Sequence, residues 1–162
     1  MNILKFKSLN KLVESLIKKK IKLVSVESCT GGWIGKATTD LSGSSQWFEA
    51  GFITYSNEAK TRLVNVSSEL LEIHGAVSIP VAEAMAKGAL THFPDAISVA
   101  VTGVAGPEGG TIEKPVGMVC IACSYKNYVI SKRFDFNGDR GEVRQQTVES
   151  AFKLVLETLG KI

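Results

Sequence analysis

The sequence predicts an α/β protein, a three-layer α/β/α sandwich around a mixed, mostly parallel sheet of about five strands. Three observations carry this. Strand-type and helix-type segments alternate along the chain, AISVAVTG (96-103) has the composition of a buried strand, and VGMVCIACSY with YVISKRFDF reads as a late hairpin turning at Lys126-Asn127.

The elements follow in order. Leu9, Leu12, Val13, Leu16 and Ile17 fall at helical spacing behind Ser8, which reads as the N-cap, and lysines crowd the far end, where the helix dipole favours cations. KLVSVE (22-27) is a short β-branched strand, and 30-41 a helix ended by Ser42-Gly43. FEAGFITYS (48-56) is the next extended stretch. Ser56 or Asn57 caps a short helix through Leu63, Ser67-Ser68-Glu69 opens another that stops at His74-Gly75, and Ser78 with Pro80 begins an alanine-rich helix through about Thr91. Strand 96-103 and the hairpin come next. A helix from about Asp139 to Leu159 closes the chain, with Val148, Ala151, Phe152, Val155, Leu156 and Leu159 on one face.

Composition narrows the function classes. With 162 residues, 44% hydrophobic and 22% charged, the chain fits one globular domain, 1-162, with a full core. It has no run of about 18 apolar residues, and its lysine-rich start lacks the apolar core and cleavage site of a signal peptide, so we expect a cytoplasmic protein without membrane contact. Three cysteines, an odd count, read as reduced thiols. Much of the net charge of +3 sits in Lys18, Lys19, Lys20 and Lys22, which read as a solvated helix end; a nucleic-acid partner is not expected, because no binding motif accompanies them.

A right-handed crossover makes strands 22-27 and 48-56 parallel, so Ser28 and Tyr55 emerge at one sheet edge. If strand 96-102 is parallel to them, Thr102 and the loop GVAGPEGGTIEKP emerge there as well, where open α/β sheets bind ligands. Ser28 and Thr30 stand where a strand gives way to a helix. The ordinary reading is an N-cap; a hydroxyl there can instead face a ligand, while the N–H groups of Thr30, Gly31 and Gly32 face an anion or oxyanion. Both fit if Thr30 caps and Ser28 is the nucleophile. Cys29 is a second candidate, since a helix N-terminus can depress a thiol pKa, but adjacent side chains diverge in such a turn. His74 and His92 fall near helix ends and read as caps or dipole partners. Lys60, one turn beyond Tyr55, can serve as a base only if burial or a neighbouring cation lowers its pKa; otherwise it is a surface charge. Gly103, Gly106, Gly109 and Gly110 make a flexible loop without a P-loop pattern. Arg140 and Arg144 sit near the first turn of the last helix, where they can clamp a phosphate. Cys120 and Cys123, three apart in a strand, point to opposite faces and share neither a metal nor a disulfide.

The motifs ESCTGG (27-32), GSSQWFEAGFITYSNEAK (43-60), HGAVS (74-78), AVTGVAGPEGG (100-110), KPVG (114-117) and GDR..VR (138-144), in this order, resemble the CinA C-terminal domain family, the nicotinamide mononucleotide deamidases also called PncC. The resemblance runs from about Leu23 to Leu159. It implies hydrolysis of nicotinamide mononucleotide to nicotinic acid mononucleotide and ammonia, in pyridine nucleotide salvage, with no metal or cofactor. It further implies that Ser28 attacks the carboxamide, Lys60 takes its proton, and Tyr55 orients or relays between them. The N–H groups of 30-32 would receive the oxyanion, Thr102, Gly103 and Gly106 would line the nucleotide site, and Arg140 would hold the phosphate. A homodimer is allowed by this reading. Two other classes stay open: a non-catalytic nucleotide-binding or competence-related accessory domain, and a nucleic-acid accessory suggested by the lysines.

Overall fold

The computed structural model describes residues 6–162. Its elements run α1 (Leu9–Lys19), β1 (Leu23–Glu27), α2 (Trp33–Thr39), a 3-10 turn (Ser44–Gln46), β2 (Phe48–Ile53), α3 (Asn57–Val64), α4 (Ser68–His74), α5 (Ile79–Leu90), β3 (Ile97–Gly103), β4 (Met118–Tyr125), β5 (Tyr128–Asp135) and α6 (Arg140–Leu159). The strands form one sheet in the order β2-β1-β3-β4-β5. β1 lies parallel to both β2 and β3, whereas β3–β4 and β4–β5 are antiparallel. The sheet is therefore evenly mixed and not mostly parallel. The late hairpin contributes two antiparallel junctions, one within itself and one where β4 returns alongside β3.

Side-chain alternation assigns the two faces. Leu23, Ile97, Val99, Val101, Val119, Ile121 and Cys123 share a cluster with buried residues of α1, α2 and α6. Val24, Val26, Ala100, Cys120 and Ala122 share the other with α3, α4 and α5. Cys120 and Cys123 thus fall on opposite faces, as their spacing requires. Among the described residues no helix is long and apolar enough to cross a membrane.

Three contacts matter for what the sheet edge carries. The 8-residue α3 has Ser56 as N-cap, its Oγ accepting from Ala59 N at 3.0 Å. At its far end, α5 touches α3 backbone to backbone: a Cβ on Gly88 would lie 1.6 Å from the carbonyl oxygen of Val64. Thr102 Oγ1 donates to the Ala76 carbonyl at 2.9 Å, tying the α4–α5 connection to β3.

Two caps differ from expectation. Ser8 has helical backbone angles and makes no cap; its hydroxyl donates instead to Glu149 Oε1 of α6 at 2.7 Å. Thr30 does not cap α2 either. The helix starts three residues later behind Gly32, because consecutive left-handed glycines, Gly31 (φ 59°) and Gly32 (φ 103°), prolong the turn.

Candidate active site

β1 delivers Ser28. Its N–H donates to Val101 O at 3.1 Å, extending the β1–β3 pairing by one residue, and its carbonyl accepts from Gly31 N at 3.1 Å. The turn that follows is held from inside by the Glu27 carboxylate, 1% exposed. That carboxylate accepts from Thr30 Oγ1 (2.7 Å), Ile34 N (2.8 Å), Ser25 Oγ (3.1 Å) and Gly35 N (3.1 Å). From outside, Arg144 donates through Nε to Cys29 O (3.0 Å) and through Nη2 to Thr30 O (2.9 Å), its guanidinium lying over the Trp33 ring. Arg144 therefore braces a loop and is not a free phosphate ligand. The α2 N-terminus is likewise occupied, by Glu27, so an incoming anion finds its N–H groups already used.

α3 delivers Lys60, which is 1% exposed. Its Nζ lies 2.8 Å from Thr54 O, 3.3 Å from Tyr55 O and 3.2 Å from Ser28 Oγ. Burial lowers its pKa from the ordinary lysine value, with the neighbouring Cys29 sulfur acting in the opposite sense. Among the described residues no carboxylate stands within ion-pair distance of it. Cys29 belongs to the core cluster of α1, α2 and α6 while also bordering the cavity that Ser28 lines, and burial pushes its thiol up to about 12. It is not an activated thiolate.

Ser28, Cys29, Tyr55, Lys60, Thr102, Gly103 and Arg140 all line one cavity of about 200 Å³. Asn57, Ala76, Val77 and Ala105, which the sequence did not single out, also contribute to its wall. The basic side chains on that wall are Lys60 and Arg140 and no carboxylate joins them, so Arg140 gives an anionic group of a ligand an unopposed positive charge. Gly103 is required by close approach, since a Cβ there would meet Val119 Cγ2 at 2.6 Å and Met118 O at 2.9 Å. Gly106 is not on the wall; its carbonyl accepts from Arg140 Nη1 at 2.7 Å. Thr30, Gly31 and Gly32 are not on the wall, and the Gly31 N–H is spent on Ser28 O.

Tyr55 follows the end of β2, and its side chain is 62% exposed. Its phenol oxygen accepts from Arg140 Nη2 at 3.5 Å and makes no hydrogen bond to Ser28 or Lys60; the backbone carbonyl is what reaches the amine. Neither histidine lines the cavity. His92 Nε2 lies 2.9 Å from Leu63 O, and the His74 carbonyl accepts from Lys114 Nζ. A larger groove of about 810 Å³ runs along α6 past Phe136, Gln146 and Lys153; among the described residues its one serine, Ser150, makes no side-chain hydrogen bond to the lysines or carboxylates that share its wall. Among the described residues no group of three or more His, Cys, Asp or Glu side chains is placed to hold a metal ion.

A serine hydroxyl beside a buried amine, at the open edge of a parallel β1–β3 pair, is an arrangement for acyl transfer. The chain is 48% identical over 132 residues to the nicotinamide-nucleotide amidohydrolase PncC of Escherichia coli K12, covering 81% of this chain and 80% of that protein. It is 45% identical over 148 residues to a putative competence-damage inducible protein of Caldicellulosiruptor saccharolyticus, covering 91% of this chain but 36% of that longer one. A crystal structure of a CinA superfamily protein from Klebsiella pneumoniae superposes with a TM-score of 0.93 at 32% identity, covering 98% of this chain and 99% of that one. Another, of a competence/damage inducible protein from Agrobacterium tumefaciens, gives 0.87 at 38% identity over 94% and 96%. The family model described as the CinA C-terminal domain matches residues 6–159, so the chain belongs to the CinA C-terminal domain family.

Proposed function

We propose that this chain is a single-domain nicotinamide-nucleotide amidohydrolase that converts nicotinamide mononucleotide and water to nicotinic acid mononucleotide and ammonia, with Ser28 as nucleophile and Lys60 as base. The observation that carries the reading is the contact set of Lys60. A neutral amine has two N–H groups and one lone pair. Thr54 O and Tyr55 O accept the two N–H groups, and the lone pair is left for the Ser28 hydroxyl 3.2 Å away. Burial favours that neutral form.

The steps balance as follows. Ser28 Oγ bonds to the carboxamide carbon while its proton passes to Lys60 Nζ. The resulting oxyanion calls for N–H donors beside Ser28 Oγ, but the Gly31 N–H is committed to Ser28 O and Thr30 and Gly32 are not on the cavity wall, so the geometry lends the 30–32 turn no support in that role. Collapse breaks the C–N bond as Lys60 returns a proton to the departing nitrogen, releasing ammonia. Water then attacks the acyl-enzyme, gives a proton to Lys60, and Lys60 hands it to Ser28 Oγ.

Arg140 takes the phosphate, since its guanidinium has N–H groups beyond those given to Gly106 O and Tyr55 OH. The phenol of Tyr55 then belongs to the mouth with Arg140, and its part near Lys60 is played by its carbonyl; the geometry lends a relay through the phenol no support. Thr102 and Gly103 form the wall against which the substrate lies. The hydrophobic clusters on the sheet's two faces support the α/β/α layering of this domain. A homodimer is compatible with the reading, but every residue proposed for the chemistry comes from one chain. An ammonia-release assay with nicotinamide mononucleotide, controlled by Ser28→Ala, tests the proposal: release by the wild type and none by the variant is expected. Nucleotide binding without release would instead establish the non-catalytic alternative.

A further inference from the structure

The residue that no part of this chemistry uses is the one bonded to the nucleophile's own backbone, Glu27. We propose that Glu27 and Arg144 act together as positioning residues, holding the Ser28–Gly32 turn from its two sides so that Ser28 Oγ is fixed against Lys60. The inference rests on the Ser28–Lys60 reading above.

Glu27 is a buried carboxylate with no ion-pair partner among the described residues. Such a group is costly unless hydrogen bonds replace its hydration. Here four donors do so, two of them the otherwise unpartnered N–H groups of the first turn of α2. The usual device would be a Ser, Thr or Asp at the N-cap. That position is Gly32 at φ 103°, a conformation side-chain-bearing residues rarely adopt, so the cap has to be supplied from elsewhere. Glu27 reaches across the turn to provide it. The consequence is specific to this geometry: the carboxylate bonds α2 to β1, and also Thr30 within the turn, so the segment carrying Ser28 is closed into a short ring anchored at both ends.

Arg144 completes the restraint. Its fork takes the carbonyls of Cys29 and Thr30, the two residues immediately after Ser28, and it comes from α6, an element separate from β1 and α2. The carbonyls therefore face outward to a cation and the carboxylate is held inside. A glutamine at 27 keeps the size but turns one acceptor into an NH2 group facing donors, so at least one contact is lost.

The test compares wild type, Glu27→Gln and Arg144→Gln, each assayed well below its own thermal unfolding midpoint. Two readouts are taken: ammonia release from nicotinamide mononucleotide, and the rate at which phenylmethanesulfonyl fluoride modifies Ser28, followed by mass. A displaced nucleophile should lower kcat by about 10- to 100-fold in each variant while KM stays within about twofold, and sulfonylation should slow in parallel. A residue serving stability alone would lower the midpoint and leave both rates unchanged in the folded enzyme. Wild-type kcat and sulfonylation in the folded variants would overturn the inference, as would a loss confined to KM. If Glu27→Gln does not fold, Arg144→Gln carries the same prediction, because its part-buried guanidinium contacts only carbonyls and a ring. If the wild type releases no ammonia, the substrate reading fails, and the sulfonylation rates alone decide the positioning. A wild-type Ser28 that the reagent does not modify sinks the premise of a poised nucleophile, and the inference with it.

Discussion

Replacing Lys60 by arginine separates a base from a mere positive charge. The structure gives Nζ three oxygens within 3.3 Å in a residue 1% exposed, so the two additional nitrogens of a guanidinium would have to extend into the cavity that Lys60 lines. Arginine also cannot lose its proton in this pH range. A positioned general base contributes about 10²- to 10⁴-fold, so kcat of Lys60→Arg should fall by that factor, about 3–5 kcal/mol of activation free energy. Lys60→Ala should be no worse. The assay is ammonia release across a pH series. Because burial lowers the pKa of Lys60 and the neutral amine is the working form, wild-type kcat/KM should fall as pH drops through that lowered pKa, below the ordinary lysine value of about 10.4. The same shift has a stability consequence of fixed sign. Between the lowered folded pKa and the unfolded one the unfolded chain binds more protons, so this group's contribution rises with pH across that window; its penalty is full below the window and absent above it. Lys60→Met should remove that component from urea unfolding measured along the pH series. A Lys60→Arg enzyme within tenfold of wild-type kcat, or an acid limb at the ordinary lysine value, would refute the assignment.

Ser28→Ala should reduce ammonia release to background, whereas Cys29→Ala should retain at least about half of it, because the Cys29 thiol sits in the core with its pKa pushed up to about 12; rapid inactivation by iodoacetamide at neutral pH would contradict this. Arg140→Gln should raise KM about 10- to 100-fold with little change in kcat, the worth of one charge-assisted contact, and should leave turnover of the phosphate-free riboside unaltered. An equal loss on both substrates would remove Arg140 from the phosphate site. Gly88→Ala should cost about 3 kcal/mol in urea unfolding, since its Cβ would drive into the Val64 carbonyl and push α3 away from α5. Unchanged stability would mean that the α3–α5 contact does not hold Lys60 in place.

The order of elements was legible because each boundary carries local chemistry. Ser56, Ser67 and Ser78 cap the helices they precede, and Lys126-Asn127 turns the hairpin. The meeting of Ser28 and Lys60 was legible for a different reason: a right-handed crossover places the ends of β1 and β2 at one edge, and one helical turn brings Lys60 back over it. What escaped was fixed by backbone partners, which leave no pattern in side-chain types. Glu27 opens the ESCTGG motif and Arg144 was read as a phosphate clamp, but most of their partners are amide N–H and carbonyl groups that every residue possesses, so their bracing of the turn could not be read from the sequence. Tyr55 escaped because β2 ends at Ile53, and two residues beyond a strand the alternation of side chains no longer dictates direction. Thr30 was read as the cap because the glycines after it permit either an immediate helix or a longer turn; the distant Glu27 decides between them.

The charged groups around Ser28 share a feature that bears on how the site can work. Lys60 and Arg144 are held by carbonyls, Glu27 by N–H and hydroxyl groups, and none of them is neutralised by an opposite charge, whereas the ion pairs among the described residues involve solvent-exposed side chains such as Lys36–Asp40 and Arg62–Glu58. A carboxylate beside Lys60 would favour the ammonium form and raise the pKa that burial lowers. Two carbonyls orient the amine through the N–H groups it keeps in either protonation state, so they fix its direction while opposing the loss of the third proton less than a carboxylate would. The same reasoning applies to the turn. A carboxylate on its outer surface would set a negative charge facing the developing oxyanion, whereas Glu27, held behind the turn by four donors, orders that segment while its charge is spent on them. Backbone dipoles therefore supply the order that a proton-transferring pair requires, and leave the amine free to change charge in the course of the reaction.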